Sequence, residues 1–145
     1  MPERISALGL DVGNRRIGVA GCDGTGLLAT GLGVIRRQSL RQDIEALQGW
    51  IDERQAQILV VGLPLLADGS IGSQAKRVQR FVQAVEKQIP IAIEYRDERL
   101  TTVQAEWDLQ QAGIRSYQQK GLIDQQAAAV ILQGWLDQRR EGLRQ

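Results

Sequence analysis

LGLDVGNRRIGVA, residues 8–20, sets two short apolar runs on either side of a Gly-Asn-Arg turn. Extended outward, residues 5–12 and 16–22 read as two antiparallel strands of a β-hairpin whose turn depends on glycine. One acid, Asp11, interrupts the first run close to its end, with glycines on both sides that leave room for a ligand.

Moving away from this hairpin, residues 27–36 follow the turn DGTG as a third strand, completing an antiparallel meander. Ser39 and Gln42 have capping-box spacing, and Leu40, Ile44, Leu47 and Ile51 recur at helical intervals, so residues 40–54 form an amphipathic helix. The continuous apolar run ILVVGL, residues 58–63, suits a strand buried on both faces. After the loop PLLADGSIG, Ala75, Val78, Val82 and Val85 mark a second helix, and Pro90 precedes the short strand IAIEY. Thr101 and Gln104 cap a third helix over about residues 102–112, with Gly113 as its stop. GIRSYQQKGL reads as a polar loop, and Ala128, Ile131, Leu132 and Trp135 define a final helix. The order β-β-β-α-β-α-β-α-α describes an α/β domain. Its mixed five-stranded sheet has its first three strands antiparallel, its later ones delivered by right-handed crossovers, and helices on its flanks. This is the element order of the ribonuclease H-like fold.

The chain has 145 residues, a length suited to one domain with one core. Its 43% hydrophobic and 24% charged residues describe a globular protein, and 16 glycines imply many tight turns. No stretch approaches the roughly 20 apolar residues of a membrane span, and the N-terminal residues lack a secretory pattern, so a cytoplasmic protein is expected. The absence of histidine excludes serine-histidine and cysteine-histidine triads and histidine-bound zinc. With Cys22 the only cysteine, an internal disulfide and a cysteine-zinc cluster are excluded as well. Catalysis is thereby confined to carboxylates, lysine, hydroxyls or bound metal.

Three acidic positions invite metal chemistry. Asp11, at a strand end among glycines, suits Mg²⁺ or Mn²⁺, which prefer oxygen ligands, and equally suits an aspartate capping the turn. Asp97 and Glu98 lie between the last strand and a capped helix, where α/β sheets build sites. In an extended chain their side chains oppose one another, so only one joins Asp11; Glu98 is favoured, with Asp97 its alternative. Both acids also suit the nearby helix N-terminus. Asp124 falls on the inward stripe of the final helix, either as a metal ligand or as an N-terminal cap. Three carboxylates from separate elements could hold one or two ions that activate water against a phosphodiester.

The net charge of +1 gives no sign of nucleic-acid binding, so charge distribution must carry it. Arg36, Arg37, Arg41, Lys76, Arg77, Arg80, Arg115 and Lys120 gather near element ends, as solvated helix faces also do. Ser70, Ser73, Lys76, Arg77 and Arg80 follow a glycine-rich turn at a helix start, a reasonable phosphate-binding edge or an ordinary capped basic face. The spacing is not that of a Walker motif.

Taken together, LGLDVGNRRIGVA, VVGLPLLADGS, DERLTT and KGLIDQQAAAVILQGWL strongly resemble, in order and spacing, the YqgF/RuvX family of ribonuclease H-like nucleases. The resemblance spans nearly the whole chain. It implies a Mg²⁺- or Mn²⁺-dependent nuclease with Asp11, Glu98 and Asp124 as catalytic ligands and Arg99 and Lys120 on phosphates. Members of the family are described as Holliday junction resolvases and as nucleases that mature the 5′ end of 16S ribosomal RNA. The implied partner is nucleic acid, RNA ahead of DNA, in ribosomal precursor particles, with the protein a monomer or homodimer. It also implies that the acid of the DER motif substitutes for one missing from ILVVGL. A noncatalytic RNA-binding assembly factor remains open. An actin-like ATPase is disfavoured because that architecture closes two such domains around its nucleotide.

Overall fold

The computed structural model describes residues 4–98 and 119–144. Within them the chain forms β1 (Ala7–Val12), β2 (Arg16–Cys22), β3 (Ala29–Arg36), α1 (Leu40–Arg54), β4 (Ile58–Leu63), α2 (Ser73–Gln88), β5 (Ala92–Asp97) and α3 (Gln119–Arg144). The helix expected over 102–112, together with Arg99 and Arg115, lies outside the described residues, as does the side chain of Lys120.

The sheet runs β3-β2-β1-β4-β5. β1, β2 and β3 pair antiparallel, while β4 is parallel to both β1 and β5. This is the mixed sheet expected from the element order. Strand alternation divides the core into two layers. Leu8, Leu10, Val12, Ile17, Val19, Leu59 and Val61 face α1 and α2, packing with Ile44, Leu47, Val78 and Val82. Ala7, Ala20, Cys22 and Val60 face α3, packing with Ala128, Ile131, Leu132 and Leu136. Each fully buried leucine or valine contributes roughly 1.5–3 kcal/mol of transfer free energy, which fixes the register of both layers.

The α3 layer is tight because the sheet presents small residues there. A Cβ on Gly9 would lie 2.6 Å from the Ala128 carbonyl oxygen, and one on Gly18 would overlap the Asp124 carbonyl. Glycine at these points lets the helix backbone rest on the sheet.

α1 begins at Ser39, whose Oγ accepts the Gln42 backbone N–H at 3.1 Å. α3 differs from the sequence reading. It starts at Gln119, within the segment read as a loop, so Asp124 sits in its second turn and is no N-terminal cap. β5 likewise runs to Asp97, because its pairing with β4 continues to Leu63.

Candidate active site

Asp11 is the penultimate residue of β1, and alternation turns it toward α3, away from the face that carries Leu10 and Val12. Two strands away, Glu94 and Arg96 of β5 also meet α3, the Trp135 Nε1 donating to Glu94 at 2.6 Å and Arg96 to Gln138 at 2.9 Å. The same period carries Glu98 to this face and turns the exposed Asp97 to the other. The Glu98 backbone N–H donates to the Leu63 carbonyl at 3.1 Å, so the extended path continues past the strand end. Gly62 makes room for its side chain: a Cβ there would lie 2.5 Å from Glu98 Oε2.

Asp11 and Glu98 meet in a hydrogen bond. Burial, the charge of Asp124 and the Glu98 contact together set the Asp11 carboxyl at about 6; the first two raise it and the third lowers it. Glu98 rises to about 9, through burial, the charge of Asp11, the hydrogen bond to Asp11 and the charge of Asp97. At neutral pH Glu98 therefore keeps its proton and donates it to an ionised Asp11. Two carboxyls that cannot both ionise unaided are a site short of positive charge.

Asp124 approaches from α3, near enough for its charge to act on Asp11. Its Oδ2, however, accepts from Arg16 Nε at 2.5 Å in a half-buried ion pair. Arg16 follows the alternation of β2 onto the α3 face, and the sequence reading did not single it out. Among the described residues no three acids stand together in metal-binding geometry. The pair Asp11 and Glu98 offers the hard oxygen donors a divalent cation takes, in place of the shared proton, with Asp124 next to it and engaged by arginine.

Of the expected phosphate-binding residues, Ser70 lies in the turn before α2, and Ser73, Lys76, Arg77 and Arg80 lie on α2 itself. Ser70 is tied into its own turn, donating to Asp68 at 2.6 Å through Oγ. Ser73 opens α2 behind Gly72, which supplies no side-chain cap. Lys76, Arg77 and Arg80 are exposed along that helix. They lie on the α1/α2 side of the sheet, away from the Asp11–Glu98 pair.

Comparison with known proteins adds to this geometry. The family model RuvX, described as Holliday junction resolvase, matches residues 5–138. The chain belongs to the RuvX family. A protein of Synechococcus sp. (strain JA-3-3Ab) named "Putative pre-16S rRNA nuclease" is 68% identical over 93% of this chain and 85% of its own length. A Synechocystis protein of the same name is 54% identical over all of this chain and 95% of its own length. The RuvX-family chain also shares its ribonuclease H-like fold with more distant solved structures. Thermus thermophilus RuvC in complex with a Holliday junction superposes with a TM-score of 0.56 at 14% identity, covering 94% of this chain and 96% of that one. The fowlpox virus resolvase superposes at 0.58 with 8% identity, covering 93% and 99%.

Proposed function

We propose that this chain is a metal-dependent nuclease that hydrolyses phosphodiesters, and that its work is 5′ maturation of precursor 16S ribosomal RNA. The observation that carries the reading is the buried Asp11–Glu98 pair, which holds a proton where a dication fits, in a chain whose relatives are named for that nuclease activity. Asp11, Glu98 and Asp124 are the proposed catalytic and metal residues, with Asp97 on the outer face adding negative charge. Bound Mg²⁺ or Mn²⁺ would supply Lewis acidity toward the phosphoryl oxygen and lower the pKa of the attacking water. The protein's part is to place Glu98 where a bound cation would displace its proton, to orient Asp11 from a rigid strand, and to hold Asp124 in place through Arg16.

The proposed substrate is RNA in ribosomal precursor particles, met in the cytoplasm by one domain acting as monomer or homodimer. Among the described residues no helix is long and apolar enough to cross a membrane. A noncatalytic assembly factor is a weaker reading, since two buried carboxyls forced to share a proton destabilise the fold without return. The family description favours one alternative substrate, the four-way DNA junction, for which a dimer would present two sites. The test is cleavage of a precursor-rRNA substrate with and without Mn²⁺. Asp11→Asn is expected to remove metal-dependent cleavage; unchanged cleavage would refute the assigned site, and symmetric paired nicks on a junction would move the substrate to DNA.

A further inference from the structure

On the sheet face opposite the Asp11–Glu98 pair, three segments far apart in sequence enclose a cleft of about 390 Å³ lined by Asn14, Arg37, Leu40, Arg77, Arg80 and Phe81. We propose that Arg37, Arg77 and Arg80, with Asn14, form an anchoring cleft for a backbone phosphate of the nucleic-acid strand whose cleavage occurs on the other face. This rests on the nuclease reading above; it adds Asn14, which sequence reasoning did not single out, and gives Arg37, there one of a general basic cluster, a place in the cleft.

Among the described residues the cleft's charge is mostly uncompensated. The carboxylate that meets it is Asp43, only 2% exposed, which pairs with Arg37 Nε at 3.1 Å and also accepts the Gln38 backbone N–H at 2.9 Å. Among the described residues Arg77 reaches only neutral acceptors, Asn14 Oδ1 at 3.5 Å and Gln74 Oε1 at 3.4 Å, both at the long limit of hydrogen bonding. Arg80 makes no ion pair among the described residues. Two exposed guanidiniums therefore converge on one space, which an anion with several acceptor oxygens would relieve.

The third guanidinium is already in position. Arg37 is held by Asp43, donates through Nη1 to the Gly13 carbonyl at 3.0 Å, and lies over the Phe81 ring at 5.1 Å from its centroid. Its geometry is set before a ligand arrives, which lowers the ordering cost of binding. It also ties the β1–β2 turn, next to the strand bearing Asp11, to α2.

The lining specifies a phosphate of the backbone and leaves the bases unread. Phe81 is only 3% exposed, with Arg37 over its ring, so it offers no open face for a base to stack on. Leu40, 47% exposed, provides a wall against which a sugar can rest. Asn14 is three residues from Asp11, so the cleft's rim lies at most about 10 Å along the chain from it. Roughly three stacked nucleotides cover that distance. A strand passing over the turn can thus touch both faces.

The experiment measures binding of a labelled short single-stranded RNA and of a four-way DNA junction, in chelator, from about 50 to 200 mM salt. The native chain is compared with Arg77→Gln/Arg80→Gln, both positions exposed and outside the core. The double variant should keep its thermal midpoint and bind the preferred probe about 10- to 100-fold more weakly. Its slope of log affinity against log salt should fall by roughly 0.7 for single strands, the value for the one phosphate that is no longer neutralised. The loss should be equal for RNAs of unrelated sequence, and cleavage should show a raised KM with unchanged kcat. Unchanged affinity and slope with both probes would overturn the cleft, as would a loss confined to one sequence. The two readings fail separately. If Asp11→Asn loses cleavage and the double variant binds like the native chain, only the cleft is refuted. If the native chain cuts nothing while the double variant loses affinity and slope, only the nuclease reading is.

Discussion

Glu98→Gln should change how stability depends on pH in the metal-free protein. In the folded native chain Glu98 titrates near 9, against an ordinary value of 4.5, and Asp11 near 6. A carboxyl raised in the folded state contributes stability that is fully present below its unfolded value and is lost as pH rises through its folded value. From about pH 6 to 8 the folded chain holds one proton that the unfolded chain has released, a slope of about −1.4 kcal/mol per pH unit. Two units give about 3 kcal/mol. For a domain of this size that is a fall of roughly 6–12 °C in Tm. Scanning calorimetry in chelator from about pH 6 to 8 reads it directly. Glu98→Gln should abolish the fall, and saturating Mn²⁺ should reduce it by taking the proton's place. A Tm in the native chain that is level or rises over this range would refute the shared-proton site, as would an equal slope in Glu98→Gln.

Other perturbations reach the same region through packing and charge. Gly18→Ala puts a methyl group onto the Asp124 carbonyl and should push α3 off the sheet, costing about 3 kcal/mol in urea denaturation with an unchanged m-value. Arg16→Gln removes the guanidinium that holds Asp124, leaving the site more negative; Mn²⁺ should bind several-fold more tightly near pH 7 by titration calorimetry. Asp43→Ala leaves the Gln38 N–H without its acceptor and the half-buried Arg37 without its ion-pair partner, and should cost about 2–3 kcal/mol on chemical denaturation.

Elements with a strong local signal were legible in the sequence. The hairpin, α1 and β4 declare themselves through alternation, the Ser39 cap and a continuous apolar run, and their bounds in the structure follow those signals. The start of α3 was hidden, because its buried residues, among those described, begin at Ala127 and the turns before it carry no periodic signal. β5 extends past its apolar residues to Asp97 because pairing with β4, rather than composition, sustains an edge strand. Within the site, period-two alternation alone distinguishes Glu98 from Asp97. The Arg16–Asp124 pair joins residues 108 positions apart, and the cleft brings together Asn14, Arg37 and Arg77. Such partners arise from tertiary packing, so no local pattern announces them.

Titration calorimetry of the metal-free chain with Mn²⁺ near pH 7, native against Asp11→Asn, tests most directly whether β1 carries a metal site. The native chain should bind Mn²⁺ with release of the Glu98 proton, detected as a heat that varies with the buffer's ionisation enthalpy, and Asp11→Asn should lose this binding. Equal Mn²⁺ binding by the two proteins, or none by the native chain, would contradict the carboxylate pair as the metal-dependent centre.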